Sequence, residues 1–278
     1  MVYLRENYFK FNFFKFFILL SLILPHIQYI YIFDEITLTI KGSGNNKKIL
    51  STTKICGDDK NITFKDMPDR IIINNETKNF SGIFVNLTQE INTVKLQWDN
   101  PVTDCKLMFD RVYNIINFDF SKFDTSEVTD MRCMFCNSNM ITSLDLTNFN
   151  TSLVTNMRSM FNKCDSLITL NISNFDTSKV TDLYHMFYNC TSLISVNVQN
   201  FKIISNANIR LMFENCLSLI SLDLASFDNT MLLKDISGMF RNSYQNLILR
   251  VNTDNISIIH DYYPDFRINI NSKIRIII

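Results

Sequence analysis

The side chains best suited to chemistry in this sequence carry sulfur or carboxylate. Cys133-Met-Phe-Cys136 has the C-x-x-C spacing that serves thiol–disulfide exchange or half of a zinc site. A tetrahedral zinc set needs a second such pair or a nearby His, and the sequence supplies neither beside it. Cys164, Cys190 and Cys216 recur at steps of 26 residues in one column that Ser138 and Ser243 continue. A column of small side chains reads as inert core thiols. Cys56 and Cys105 flank the N-terminal segment and make a possible disulfide after export. Asp119, Asp145, Asn171, Asn197 and Asp223 form a further column on the same step. Two neighbouring acids there could share a calcium ion, but solvated carboxylates are the simpler reading. With three His, no nucleophile motif and no Gly-rich phosphate loop, the chain reads as a non-enzyme without catalytic residues, cofactor or metal.

Those residues take their places from a repeat. The dipeptide Met-Phe recurs at 108–109, 134–135, 160–161, 186–187, 212–213 and 239–240. On a 26-residue period, Ile115, Ile141, Leu167, Leu193 and Leu219 form one apolar column, and Phe123, Phe149, Phe175, Phe201 and Phe227 form another. Between them run Phe118, Leu144, Leu170, Val196, Leu222 and, two residues on, Phe120, Leu146, Ile172, Val198, Leu224. The resulting L-x-x-L-x-L spacing predicts a short strand in each unit, centred near residues 119, 145, 171, 197, 223 and 250. Val128, Met131, Met134 and Phe135 fall at i, i+3, i+6 and i+7, which predicts a short helix, with Ser126, Ser152 or Ser178 (or the Thr beyond) as N-cap. The expected fold is therefore an α/β repeat solenoid of leucine-rich-repeat type, built from 26-residue units of short strand plus short helix. One such unit cannot bury both of its faces alone, so it must stack.

Outside the repeat the chain divides into three further parts. In residues 1–32, Arg5, Lys10 and Lys15 precede the apolar run Phe16–Leu24, the order of a signal peptide or an uncleaved signal anchor. Residues 33–100 carry short alternating runs such as ITLTIKG, RIIINN and NTVKLQW. They predict a β-rich domain capping the first unit, with Trp98 as a packing anchor at the junction. The repeat then occupies 101–254, and 255–278 reads as a strand-rich C-terminal cap. Twenty-seven basic and 27 acidic residues cancel, so no charge field points to nucleic acid or an anionic membrane surface. Membrane contact is expected only through the N-terminal segment, and the remainder outside the cytosol. Triplets N-x-S/T, for example at Asn150, Asn171 and Asn189, would become glycan acceptors after export in a eukaryotic cell.

FDTSEVTDM, FNTSLVTNM with MFNKCDSLITLNISNF, and FDTSKVTDL with MFYNCTSLISVNVQNF resemble the BspA-type leucine-rich repeat surface proteins over residues 101–251. The segment ITLTIKGSGNNKKILS to VKLQWDN is similar to the stretch found ahead of such repeats in protist members. The resemblance implies a cell-surface or secreted protein that adheres to, or recognises, a protein or glycan on another cell or matrix. It carries no residue-level site. The column Asp119, Asp145, Asn171, Asn197 and Asp223 is the candidate binding face, because alternation along the strand turns it outward. A structural coat or scaffold without a specific ligand is the alternative, and an extracellular hydrolase the third reading.

Overall fold

Alternation builds the first sheet. In β1 (Asp34–Lys41) Ile36, Leu38 and Ile40 point into the core while Thr37 and Thr39 point away. β6 (Ile91–Trp98) buries Val94, Leu96 and Trp98 in the same way. β3 (Arg70–Ile73) and β4 (Glu76–Asn79) form a hairpin whose two-residue turn is Asn74–Asn75, at φ 49° and 70°. Two successive left-handed residues define the turn that matches strand twist, and Asn tolerates them. β7 (Ile115–Lys122) completes an antiparallel sheet in the order β4-β3-β6-β1-β7. β2 (Gly44–Lys48) pairs with β5 (Phe84–Leu87) in a separate two-stranded sheet. Trp98 is buried, donates its indole N–H to the Asp66 carbonyl at 2.7 Å, and packs on Phe123 at 5.6 Å.

The computed structural model describes residues 34–51, 66–79, 82–227, 238–243, 247–250, 267–269 and 275–277. The signal or anchor reading of residues 1–32, Cys56, and most of the 255–278 segment lie outside the described residues. All the described strands belong to one compact unit, Phe33–Ile278.

Beyond β7 the chain runs as a parallel ladder. Strands β8 (Thr169–Asn171), β9 (Ser195–Asn197), β10 (Ser221–Asp223) and β11 (Ile248–Arg250) pair side by side in parallel. Asp145 joins β8 through a single bridge to Asn171. β13 (Arg275–Ile277) then pairs antiparallel to β11, and β12 (Arg267–Asn269) pairs antiparallel to β13 at the far edge. A second parallel column of bridges links Asp104, Asp130, Asn156, Asp182 and Asn208. Between these columns lies the core. Phe109, Phe135, Phe161, Phe187, Phe213 and Phe240 form one file, with successive ring centroids 6.0, 5.6, 5.4, 5.1 and 5.9 Å apart and planes within 16° of parallel. Each buried ring contributes about 1.5–3 kcal/mol through area alone.

The structure overturns the expected fold class. Among the described residues there is no helix, and the molecule is all β rather than an α/β leucine-rich-repeat solenoid. The reason is where the backbone N–H groups of the Met-Phe segment go. Met131, Cys133, Phe135 and Asn137 donate to the carbonyls of Asn156, Arg158, Met160 and Asn162, one unit on. Met134, Cys136 and Ser138 donate to Met131, Cys133 and Phe135, closing three-residue steps. Arg132 donates to the Asp130 carboxylate. Every donor from 131 to 138 is thus used without an i to i−4 bond, so no α-helix can form. Left-handed Cys133 (φ 58°) and Asn137 (φ 59°) turn the chain back after each step. The same two positions are left-handed in the next units, at Ser159 and Lys163, then His185 and Asn189. Gly238 takes the position of Leu211 one unit later, and a Cβ there would run into the Leu211 side chain.

The expected helix caps are corrected with the helix. Ser126, Ser152 and Ser178 offer their backbone N–H groups to the Oδ1 atoms of Asp124, Asn150 and Asp176. They are the receiving ends of side-chain-capped turns, not helix N-termini.

Candidate binding face

The regular face is made by β8, β9 and β10. Thr169 stands opposite Ser195 and Ser195 opposite Ser221, while Asn171 stands opposite Asn197. Parallel pairing sets such residues about 4.8 Å apart. Leu170, Val196 and Leu222 turn inward and are buried, so their neighbours must face out. The face therefore carries a hydroxyl column, Thr169–Ser195–Ser221, beside the amide and acid column Asn171–Asn197–Asp223. Together with Gln199 these residues line an open groove of about 430 Å³.

The candidate column holds its own backbone. Oδ1 of Asp119, Asp145, Asn171, Asn197 and Asp223 accepts the N–H two residues on, at 2.9, 3.1, 3.2, 3.2 and 3.0 Å. Each bond forms an Asx-turn, and in β8, β9 and β10 that turn ends the strand. Hydrogen bonds from Ser121 hold the Asp119 carboxyl below its ordinary value, and hydrogen bonds from Thr147 do the same to Asp145. Asp223 also pairs with Arg250 at 3.0 Å. Position x+2 being Ser or Thr in most units was the available sequence signal for these turns. What this leaves toward a ligand is the second oxygen of Asp145 and the amide nitrogens of Asn171 and Asn197, with the hydroxyls next to them.

An apolar stripe borders the hydroxyls. Ile168, Ile194 and Ile220 are 43%, 41% and 49% exposed. With Ser166, Ser192, Ser218, Thr142 and Ile248 they line a second open groove of about 900 Å³. The sequence signal for this stripe is the Ile that follows Leu167, Leu193 and Leu219 each time.

The sulfur groups fall into two settings. Cys164, Cys190 and Cys216 are buried, and each thiol donates to a Phe carbonyl of the preceding unit (Phe135, Phe161, Phe187) at 3.1–3.2 Å. Ser138 and Ser243 make the same bond to Phe109 and Phe213, so the column selects a small donor and accepts either hydroxyl or thiol. Burial pushes all three thiols up, Cys216 to about 12. Cys105 is likewise buried with its thiol pushed well up by desolvation. Its suggested partner Cys56 lies outside the described residues. Cys133 and Cys136 lie in a Met-Phe turn, in a small buried cluster with Leu107 that is separate from the main core. His185 packs between the rings of Tyr184 and Tyr188, at 3.8 and 4.4 Å. Among the described residues no group of three or more His, Cys, Asp or Glu is placed to hold a metal ion, and no helix is long and apolar enough to cross a membrane.

Residues 77–169 and 137–250 each match a family described as "Mycoplasma protein of unknown function, DUF285". Together the two matches run from β4 through β11 and so take in the whole of the face. No curated protein and no solved structure matches the chain.

Proposed function

The chain belongs to the DUF285 family, a family found in BspA-like surface proteins, and from that premise we propose that it is an exported or cell-surface protein of the BspA-like kind, acting in adhesion or recognition. In this reading it binds a protein or glycan on another cell or matrix, performs no catalysis and needs no cofactor. The observation that carries the proposal is the face of β8–β10. Three hydroxyls, two amides and a carboxylate repeat there at strand spacing beside an exposed Ile stripe. Binding faces combine polar groups that fix orientation with apolar surface that supplies burial, and this face presents both on a rigid ladder. The Asx-turns keep the polar column in place before any partner arrives, which lowers the ordering cost of binding.

The test uses substitutions that leave the turns intact. Thr169→Arg and Ser195→Arg together put bulk and charge on the groove without removing an Oδ1 acceptor. Attachment of the purified protein to intact cells or matrix should weaken by roughly tenfold, about 1.4 kcal/mol. The thermal midpoint of the double variant serves as the folding control. Attachment that survives the double Arg variant, in a protein with unchanged thermal midpoint, would remove β8–β10 as the binding face.

A further inference from the structure

We propose that Cys133 and Cys136 form an intramolecular disulfide, a covalent modification site that closes the Met-Phe turn of one unit. The backbone brings them together. The Cys136 N–H donates to the Cys133 carbonyl at 3.1 Å, closing a four-residue turn. The ends of such a turn lie within about 7 Å of one another, which overlaps the Cα separation of about 4.4–6.8 Å that a disulfide spans. Both side chains enter one small cluster with Leu107, walled off from the Phe and Leu core.

The ladder does not need sulfur at these positions. The equivalent residues one unit on are Ser159 and Asn162, and the next are His185 and Tyr188, all in turns of the same backbone form. Cys164, Cys190 and Cys216 stand in a different arrangement. They are spaced along the ladder, and each spends its thiol on a carbonyl of the unit before. A bond between two of them would break those hydrogen bonds inside the core. Cys133 instead sits in left-handed backbone (φ 58°), a conformation that residues with a Cβ leave when they can. A short covalent ring removes the extended alternatives from the unfolded chain.

Polar neighbours hold the Cys136 sulfur in place. Asn137 donates one amide to the Cys136 sulfur at 3.0 Å and to Oδ1 of buried Asp110 at 3.1 Å. Formation proceeds through a mixed disulfide with an external disulfide such as oxidised glutathione. The two cysteines give up two protons and two electrons as their S–S bond forms, and the external S–S bond breaks to give two thiols.

Trypsin isolates the pair. Cleavage after Arg132 and after Arg158 releases a peptide, residues 133–158, that holds these two cysteines and no other. The full chain is equilibrated with reduced and oxidised glutathione, both as the native protein and during refolding from denaturant, then alkylated in denaturant and digested. The expected dominant peptide carries no alkyl group and is lighter than the dithiol form by two hydrogens. The peptides of Cys164, Cys190 and Cys216 should be fully alkylated. A doubly alkylated 133–158 peptide in both arms, or one carrying glutathione, would overturn the proposal. Cys133→Ser with Cys136→Asn installs the side chains of the next unit. That variant's thermal midpoint should be indifferent to reductant, whereas the parent's falls. A parent whose midpoint ignores reductant would also count as refutation. The readout does not depend on where the protein resides.

Discussion

The antiparallel sheet β4-β3-β6-β1-β7 and the parallel ladder after it bury similar side chains by opposite means. In the sheet every residue has its own partner: Ile36 faces Leu96, Leu38 faces Val94 on one side and Phe118 on the other. Register there is pinned by individual devices, the Asn74–Asn75 turn and the buried Asn92 amide, which bonds to Gly42 and Gln89. In the ladder the partner is the same column one unit on, so one rule sets every rung. β7 belongs to both, pairing with β1 while its Asp119 heads the Asx column. The difference teaches that losses in the sheet depend on site, whereas interior rungs of the ladder should be interchangeable.

The largest expected effect tests that interchangeability. Phe161→Ala and Phe187→Ala each remove a ring with stacked neighbours on both sides, at 5.4–5.6 Å and 5.1–5.4 Å. Each should cost about 3–5 kcal/mol, and the two values should agree within the error of the measurement. Leu38→Ala in the sheet should cost about 2–5 kcal/mol with no reason to match either. Denaturant unfolding of the three variants measures this, and unequal costs at the two ladder sites would break the comparison.

A smaller effect probes how rungs are tied by polar groups. Buried Thr151 donates its hydroxyl to the Asp176 carbonyl at 3.1 Å and accepts the Asp176 N–H at 2.7 Å. Thr125 makes the same pair of bonds to residue 150, one unit earlier. Thr151→Val keeps the shape and orphans both groups, for about 1–3 kcal/mol. Hydrogen exchange should show the Asp176 amide losing protection while Ile36 and Leu96 in the sheet keep theirs. Loss of protection spreading into the sheet would show that the two regions open as one.

The smallest effect is the acid limb of the Asx column. Hydrogen bonds lower the folded carboxyls of Asp119 and Asp145 in that column, and of Asp176 in the Ser178 turn, below the ordinary value of 3.8. A depressed folded value contributes stability above the unfolded value and loses it as pH falls through the folded one. Asp165 works the other way, because burial raises it. Asp145→Asn keeps the Oδ1 acceptor, as Asn171 does naturally, and removes the titration. The parent should melt slightly higher than the variant at neutral pH, with the gap closing as pH drops below 3.8. A gap that stays constant into acid would mean the charge adds nothing to the turn.

Much of the interior could be read from spacing. The Phe, Leu and Met columns that recur every 26 residues are the buried ones, from Phe123 to Phe227 and from Phe109 to Phe240. Strands fall where L-x-x-L-x-L places them near 171, 197, 223 and 250, while near 145 only one bridge forms. The outward column of the candidate face was also legible, since strand alternation depends on nothing but the chain itself. Its work as a set of backbone caps was not read, although N-x-S and D-x-T are the residues of an Asx-turn. The exposed Ile168–Ile194–Ile220 stripe is not legible there, because an apolar side chain type by itself points inward.

The sequence by itself determined which residues are buried and that they recur in register, because burial follows from side-chain type and period. Tertiary structure decided what backbone carries them. Val128, Met131, Met134 and Phe135 at i, i+3, i+6 and i+7 satisfy a helix and a chain of tight turns equally, since both return side chains to one side. The choice rests on the N–H groups of Met131, Cys133, Phe135 and Asn137, whose acceptors lie in the next unit. Local periodicity carries no information about a carbonyl 25 residues away. Stacking supplies those acceptors along the whole ladder at once, and the helix is lost to them.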